Sequence, residues 1–372
     1  MISLPCLALV LPLAAAAAFK ADIRVDTNRD GKVDLHGTTD INGKATWSET
    51  SGALFLPNIG DARGHCAGDD SCHDASSNKQ WAPQNMASML TVPMGHIRDW
   101  TTATISVRDP VARSKVRIFL YDAAKDDPWV YLENDTRIPA DRLRRGLTLG
   151  IDARDTRRPG GWDGRVLVRF QVRNWHHVSS DYVMLRVAPV LTHHHGQPIE
   201  RLFVSNQNQH HPIIKSMHDK IQNSMQQAGI WRPLGRFGVK YTWAQDVMEP
   251  AYASIPGPSG PITLRINVMG KPVMKGSTEA VGRLLWNLRG KGVGAVRPAE
   301  LSDMLDPKTL RLSAGGNIET IPPYEFNGKN YPAGRLVIGA ADGMAPPVLR
   351  FFEAQESQKP ISPTRRCCAS AT

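Results

Sequence analysis

The chain has 372 residues, enough for two domains that each bury a core, and its 41% hydrophobic and 22% charged residues are ordinary for a globular protein. A formal net charge of +10 invites nucleic acid as a partner, but Lys and Arg are spread along the chain and not clustered with aromatic residues, which argues against it. No later stretch is apolar for long enough to span a bilayer, so neither nucleic acid nor membrane is an expected partner.

Met1 to Ala18 reads as a signal peptide. An apolar run from Leu4 to Leu13 leads into Ala14 to Ala18, a small-residue stretch suited to cleavage, and secretion is the expectation. A buried N-terminal helix is the other reading, because the run is preceded by no Lys or Arg. Residues 19–190 carry short runs rich in β-branched and aromatic residues, among them Ile23 to Val25, Ala53 to Leu56, Val116 to Leu120, Arg165 to Phe170 and Tyr182 to Val187. Their alternation and the turn clusters between them predict an antiparallel β-sandwich.

Two acidic regions fall inside this half. Asp26, Asn28 and Asp30 place oxygen side chains at alternate positions ahead of Gly31, the pattern of a loop that wraps Ca2+. The twelfth position of an EF-hand loop would be Gly37, so this is not an EF-hand; a plain hairpin pairing Ile23 and Val25 with Val33 and Leu35 is the competing reading. The second region runs from Asn58 and Asp61 through Asp69, Asp70 and Asp74, where carboxylates repel one another unless solvated or neutralised by a cation. Within it, Cys66 and Cys72 are a candidate disulfide for an oxidising compartment.

The texture changes near residue 190. His193, His194 and His195 read as a solvated loop, with a transition-metal site as the alternative. Pro212 to Gln227 spaces Ile213, Ile214, Met217, Ile221 and Met225 by threes and fours before Gly229, which predicts a helix. Strand-like runs follow at 236–243 and 262–268, and a second α/β unit between 280 and 338. The stretch after Glu353 shows neither period, so 356–372 reads as a disordered, non-native tail. Tyr241 to Pro250 groups Trp243, Gln245, Asp246 and Glu249 at the end of an apolar strand, where α/β folds often place chemistry; a helix capping box is the structural alternative.

Trp243-x-Gln245-Asp246-x-x-Glu249 resembles the first catalytic motif of the protein-arginine deiminases. Gly315-Gly316-Asn317-Ile318-Glu319, followed by Pro322-Pro323 and Gly328-Lys329-x-Tyr331-Pro332-x-Gly334-Arg335, is similar to the next signature of that catalytic domain, and Arg186-Val187-Ala188-Pro189 resembles the junction before it. The resemblance implies a mixed fold: an immunoglobulin-like β-sandwich over 19–190, then part of an α/β propeller of the pentein type over 191–355. It implies a calcium-dependent hydrolase that turns peptidyl-arginine in proteins or peptides into citrulline and ammonia. Asp246 would hold the guanidinium through a bidentate pair, with Trp243 lining the substrate channel and Arg265 as a substrate-binding arginine. Gln245, Glu249, Glu319 and the carbonyls of Gly315 and Ile318 would bind Ca2+, tying the Asp246 segment to a loop some seventy residues away. In the first domain Asn58 matches a calcium ligand, with Asp61 beside it, and Asn85 stands where aspartate is usual.

The departures are as informative. Val247 and Gly292 stand where further acidic ligands are expected. The reaction needs a thiolate, a His and a second carboxylate, yet no His follows His218 and no Cys lies between Cys72 and Cys367. Cys367 and Cys368, in a tail that looks like translated sequence from a broken frame, are rejected as nucleophiles. The expectation is a deiminase-type chain, truncated and inactive. A non-catalytic, secreted calcium-binding module is the alternative, and a secreted β-sandwich that binds carbohydrate is more distant.

Overall fold

The computed structural model describes residues 19–59, 83–205, 208–231, 235–237, 248–269, 292–296, 318–338 and 346–361. It is mostly sheet with few helices. One five-stranded sheet orders β1 (Ile23–Val25), β3 (Ala87–Thr91), β8 (Thr148–Ala153), β5 (Val116–Tyr121) and β6 (Trp129–Tyr131). A second orders β2 (Ala53–Phe55), β10 (Val178–Val187), β9 (Arg165–Arg173), β4 (Thr102–Val107) and β7 (Ile138–Pro139). Period-two patterning explains the packing: along β9 Val166, Val168, Phe170 and Val172 are buried while Arg165, Leu167 and Arg173 face out. These residues join Ile23, Val25, Met89, Leu149 and Ile151 from the other sheet in one buried cluster. Two six-residue helices, α1 (Pro110–Lys115) and α2 (Ala140–Arg145), bridge strands, and Asp109 caps α1 by accepting the Ala112 N–H at 2.8 Å.

The expected strands are present, with two differences in pairing. β10 and β2 run parallel, Leu185 opposite Ala53, so the arrangement is not purely antiparallel. β1 pairs with β3, Ile23 opposite Thr91, and not with Val33 and Leu35. The local hairpin fails because Asp26 and Asp40 take the backbone donors it would need. Asp26 accepts the N–H groups of Asp30 and Gly31 at 3.0 and 2.9 Å, and the buried Asp40 accepts those of Thr27 and Asp34, both at 2.7 Å.

Beyond residue 190 the strands are β11 (Leu191–Thr192), β12 (Phe203–Ser205), β13 (Gly235–Phe237), β14 (Met248–Ile255), β15 (Ile262–Met269), β16 (Val293–Val296), β17 (Ile318–Ile321), β18 (Tyr324–Phe326), β19 (Lys329–Tyr331), β20 (Arg335–Ile338) and β21 (Pro360–Ile361). β11, β14, β15 and β16 form one sheet in that order, and β17, β20 and β21 another. The expected helix is α3 (Pro212–Gln227), with Pro at its start and Gly229 in a left-handed conformation just past its end. A second buried cluster gathers Ala253, Leu264, Ile266, Val268, Leu336 and, from α4 (Pro346–Gln355), Phe351 and Phe352. Val187 belongs to the first cluster and Ala188 to the second.

One expectation is corrected here. Residues 356–361 are not a loose tail. The Glu356 carboxylate takes two hydrogen bonds from Arg186, at 2.8 and 2.9 Å, and Gln358 exchanges bonds with the Thr192 backbone. β21 then pairs with β20 in parallel. A segment rich in Ser, Lys and Pro lacks periodicity, yet its side chains satisfy buried backbone groups elsewhere. Residues 362–372 lie outside the described residues, as do Met1 to Ala18.

Candidate functional site

The C-terminal half of the motif segment is described from Met248 onward, and β14 places Glu249 at its second residue. Glu249 is only 7% exposed. Burial, reinforced by the nearby charge of Glu319, pushes its carboxyl up to about 9. Glu319 is the second residue of β17, beside the buried Ile318. It accepts or shares a proton with His195 Nε2 at 2.8 Å. Two residues seventy apart in sequence are thus brought together as a pair of carboxylates, one in a dry setting that disfavours its charge.

Sequence reasoning missed His195. The three histidines read as a solvated loop, and His195 is exposed, but its ring reaches Glu319. His193 leans on the Tyr252 ring at 4.7 Å and shares a hydrogen bond with Gln197 at 2.9 Å; burial pulls its pKa below the usual histidine range. The only signal for His195 was its chemistry, because no spacing links it to Glu319.

Arg265, the candidate substrate-binding arginine, lies on β15 with its guanidinium engaged by the Glu200 carboxylate, its Nε donating at 2.6 Å. Trp243, Gln245, Asp246, Val247 and Gly315 lie outside the described residues, as do Asp61, Cys66 and Cys72.

In the first half, Asp26, Asn28 and Asp30 lie in one loop. Asn28 Nδ2 donates to Asp30 at 2.9 Å, and Asp26 is raised above the usual carboxylate range by burial, with Asp30 and Asp40 adding to it. Asn58 sits in a different setting. Its amide donates to Asp152 at 2.9 Å, and Arg117 binds both oxygens of that carboxylate at 2.8 and 2.9 Å. Among the described residues, the positive charge there belongs to Arg117. Asn85 is buried in the short 3-10 turn Pro83–Asn85, and its Nδ2 meets no partner among the described residues. Among the described residues, no three His, Cys, Asp or Glu side chains converge as a ready-made metal cage. The Glu249–Glu319 pair offers carboxylate oxygens with His195 against Glu319, and the Asp26 loop offers carboxylate oxygens with Arg29 and Lys32 among them.

The two regions touch through glycine. Gly31, at the end of the Asp26 loop, has φ +89°, and a Cβ there would stand 2.4 Å from the Gly257 carbonyl in the turn between β14 and β15. Gly31→Ala is expected to lower stability by more than about 1 kcal/mol, from left-handed strain plus the clash. Urea unfolding of the parent and the variant measures this; unchanged midpoints would show that the loop and turn do not rest on each other.

A family model described as protein-arginine deiminase matches residues 177–364. The chain is similar to mouse protein-arginine deiminase type-4, 26% identical over 193 residues, which cover 50% of this chain and 27% of that protein. The rat type-4 protein is matched to the same degree, 26% over 192 residues. The chain thus spans about a quarter of the length of these relatives.

Proposed function

Because the chain belongs to the protein-arginine deiminase family, we propose that it carries the calcium-binding and guanidinium-holding part of a hydrolase that converts peptidyl-arginine to citrulline and ammonia. The observation that carries this reading is Glu249, a buried carboxylate raised to about 9 with Glu319 as its neighbour and no cation beside it among the described residues. A hard cation would remove that cost. Glu249, Glu319, Gln245 and the carbonyls of Gly315 and Ile318 would hold it, and the bound Ca2+ would supply the charge that lets both carboxylates ionise together. Asp246, three residues before Glu249, would then pair with the substrate guanidinium, and Trp243 would pack along its stem. His195 would keep Glu319 oriented. Arg265 would have to leave Glu200 to touch substrate. A second cation is proposed at Asp26, Asn28 and Asp30.

An immunoglobulin-like sandwich followed by part of a pentein propeller, divided near residue 190, is supported by the passage from the first buried cluster at Val187 to the second at Ala188, with Leu56 and Ile59 of the first half also joining the second. Secretion is supported by the apolar, Ala-rich sequence of Met1 to Ala18. One fact favours a non-catalytic reading of this chain itself: no His after His218, and no Cys between Cys72 and Cys367, is present to do the chemistry.

Calorimetric titration with Ca2+ tests the site. The parent is expected to bind, and Glu249→Gln to weaken one binding event at least about tenfold. Absence of any calcium heat in the parent would overturn the reading. With Ca2+ and a peptidyl-arginine substrate, the 372-residue chain is expected to release no citrulline; turnover would show that the missing groups were misjudged.

A further inference from the structure

One end of the double-sheet region carries two tryptophans that face water. Trp100 lies in the turn before β4, and Trp175 in the turn joining β9 to β10. Their ring centroids are 6.0 Å apart at 41°, yet they remain 53% and 82% exposed. Indoles are among the largest apolar groups a protein owns, and a touching pair left this open marks an interaction surface. Val178, the first residue of β10, is also exposed at this end.

Two further observations identify what the surface meets. The chain enters the fold here: the Phe19 ring packs edge-on against His177 at 4.8 Å, and its carbonyl lies 3.1 Å from His177 Nε2, two residues from Trp175. The segment that leads to Phe19, Met1 to Ala18, contains no charged side chain. The second observation is charge. Lys20, Arg98 and Arg173 are all exposed at this end, Arg98 with its guanidinium 6.0 Å from the Trp100 ring, and the exposed Asp99 is engaged by Arg144.

We propose that this end docks on an anionic bilayer surface. Tryptophan favours the head-group level, where its ring is half in hydrocarbon and its N–H stays wet. Lys and Arg beside it are drawn to anionic lipid. No helix among the described residues is long and apolar enough to cross a bilayer. Docking on a surface needs none, and it departs from the expectation of no membrane partner, which rested on spanning alone.

The test is co-sedimentation of the full chain with vesicles of phosphatidylcholine, with and without phosphatidylserine, alongside tryptophan emission. The chain is expected to pellet with phosphatidylserine-containing vesicles, with a blue shift in emission. The double variant Trp100→Ser, Trp175→Ser is expected to lose binding by about tenfold or more, and Arg98→Gln, Arg173→Gln by a similar factor. All four positions are exposed, and circular dichroism of each variant should match the parent. A tryptophan variant that binds as the parent does would overturn the proposal and assign lipid affinity to Met1 to Ala18. Failure to pellet, equal binding to phosphatidylcholine alone, or capture by acidic polysaccharide in place of vesicles would also overturn it. So would indoles shielded from iodide quenching without lipid, the result expected if Met1 to Ala18 folds over them.

Discussion

Replacing Arg117 with Met lowers stability by about 3–5 kcal/mol, a large part of the roughly 5–15 kcal/mol margin a domain holds. Arg117 and Asp152 are both 0% exposed. They face each other across paired strands, β5 and β8, with Arg117 Nε and an NH2 group each donating to one carboxylate oxygen. Asn58 closes the group: its amide donates to Asp152 while its carbonyl accepts from Arg117 at 3.2 Å. Methionine would fill the stem's volume but take the two guanidinium donors from the buried Asp152 carboxylate, and the desolvation cost of the less compensated charge dominates. Adding Asp152→Asn to Arg117→Met removes that charge and is expected to recover a large part of the loss. Urea unfolding of the two variants decides: a double variant no better than the single one would mean that packing, not charge, sets the cost.

This buried pair also marks the limit of what the sequence made legible. β5 was readable as a continuous apolar run, Ile118 to Leu120, and β9 because Val166, Val168 and Phe170 repeat with the pleat. α3 was readable because Ile213, Met217 and Ile221 repeat with the helical turn, between a Pro and a Gly that mark its ends. Pairings between distant residues carry no such period. Nothing local to Asp40 announces that its buried carboxylate replaces a hairpin partner for Thr27 and Asp34. Nothing near Ser357 to Pro360 announces a strand, because β21 is defined by the β20 edge it joins. At the candidate site, Glu249 and Glu319 were found through resemblance. Their proximity is visible only in the fold, which also adds His195 and sets the Asn58 amide against the Arg117–Asp152 ion pair.

Arg186→Lys is expected to cost about 1.5–3 kcal/mol despite keeping the charge. The guanidinium is buried, and it spends its whole fork: Nε donates to the Asp163 carbonyl at 3.0 Å, and its two terminal nitrogens donate to the two Glu356 oxygens. Its face lies 4.7 Å from the Trp47 ring. An ammonium has three donors on one nitrogen and cannot span both Glu356 oxygens and the Asp163 carbonyl in the planar geometry of the guanidinium. Arg157 completes the join between β10 and α4 by donating to the Val187 and Gln355 carbonyls; burial, with Arg186 beside it, pulls its pKa down to about 9, still charged at neutral pH. The hydrogen bonds from Arg186 hold the Glu356 carboxyl below the usual glutamate range, against the opposing effect of its burial. The sign follows. A carboxyl with a depressed folded pKa contributes in full above its unfolded value, about 4.3, and the contribution fades as pH falls through the folded pKa. Glu356 is half exposed, so water screens the effect and its size stays small beside the loss from Arg186→Lys. Urea midpoints measured from about pH 7 down to about pH 3 should therefore fall less steeply in Arg186→Lys and Glu356→Gln than in the parent. Acid profiles parallel to the parent's would mean that Glu356 does not join α4 to β10 in solution.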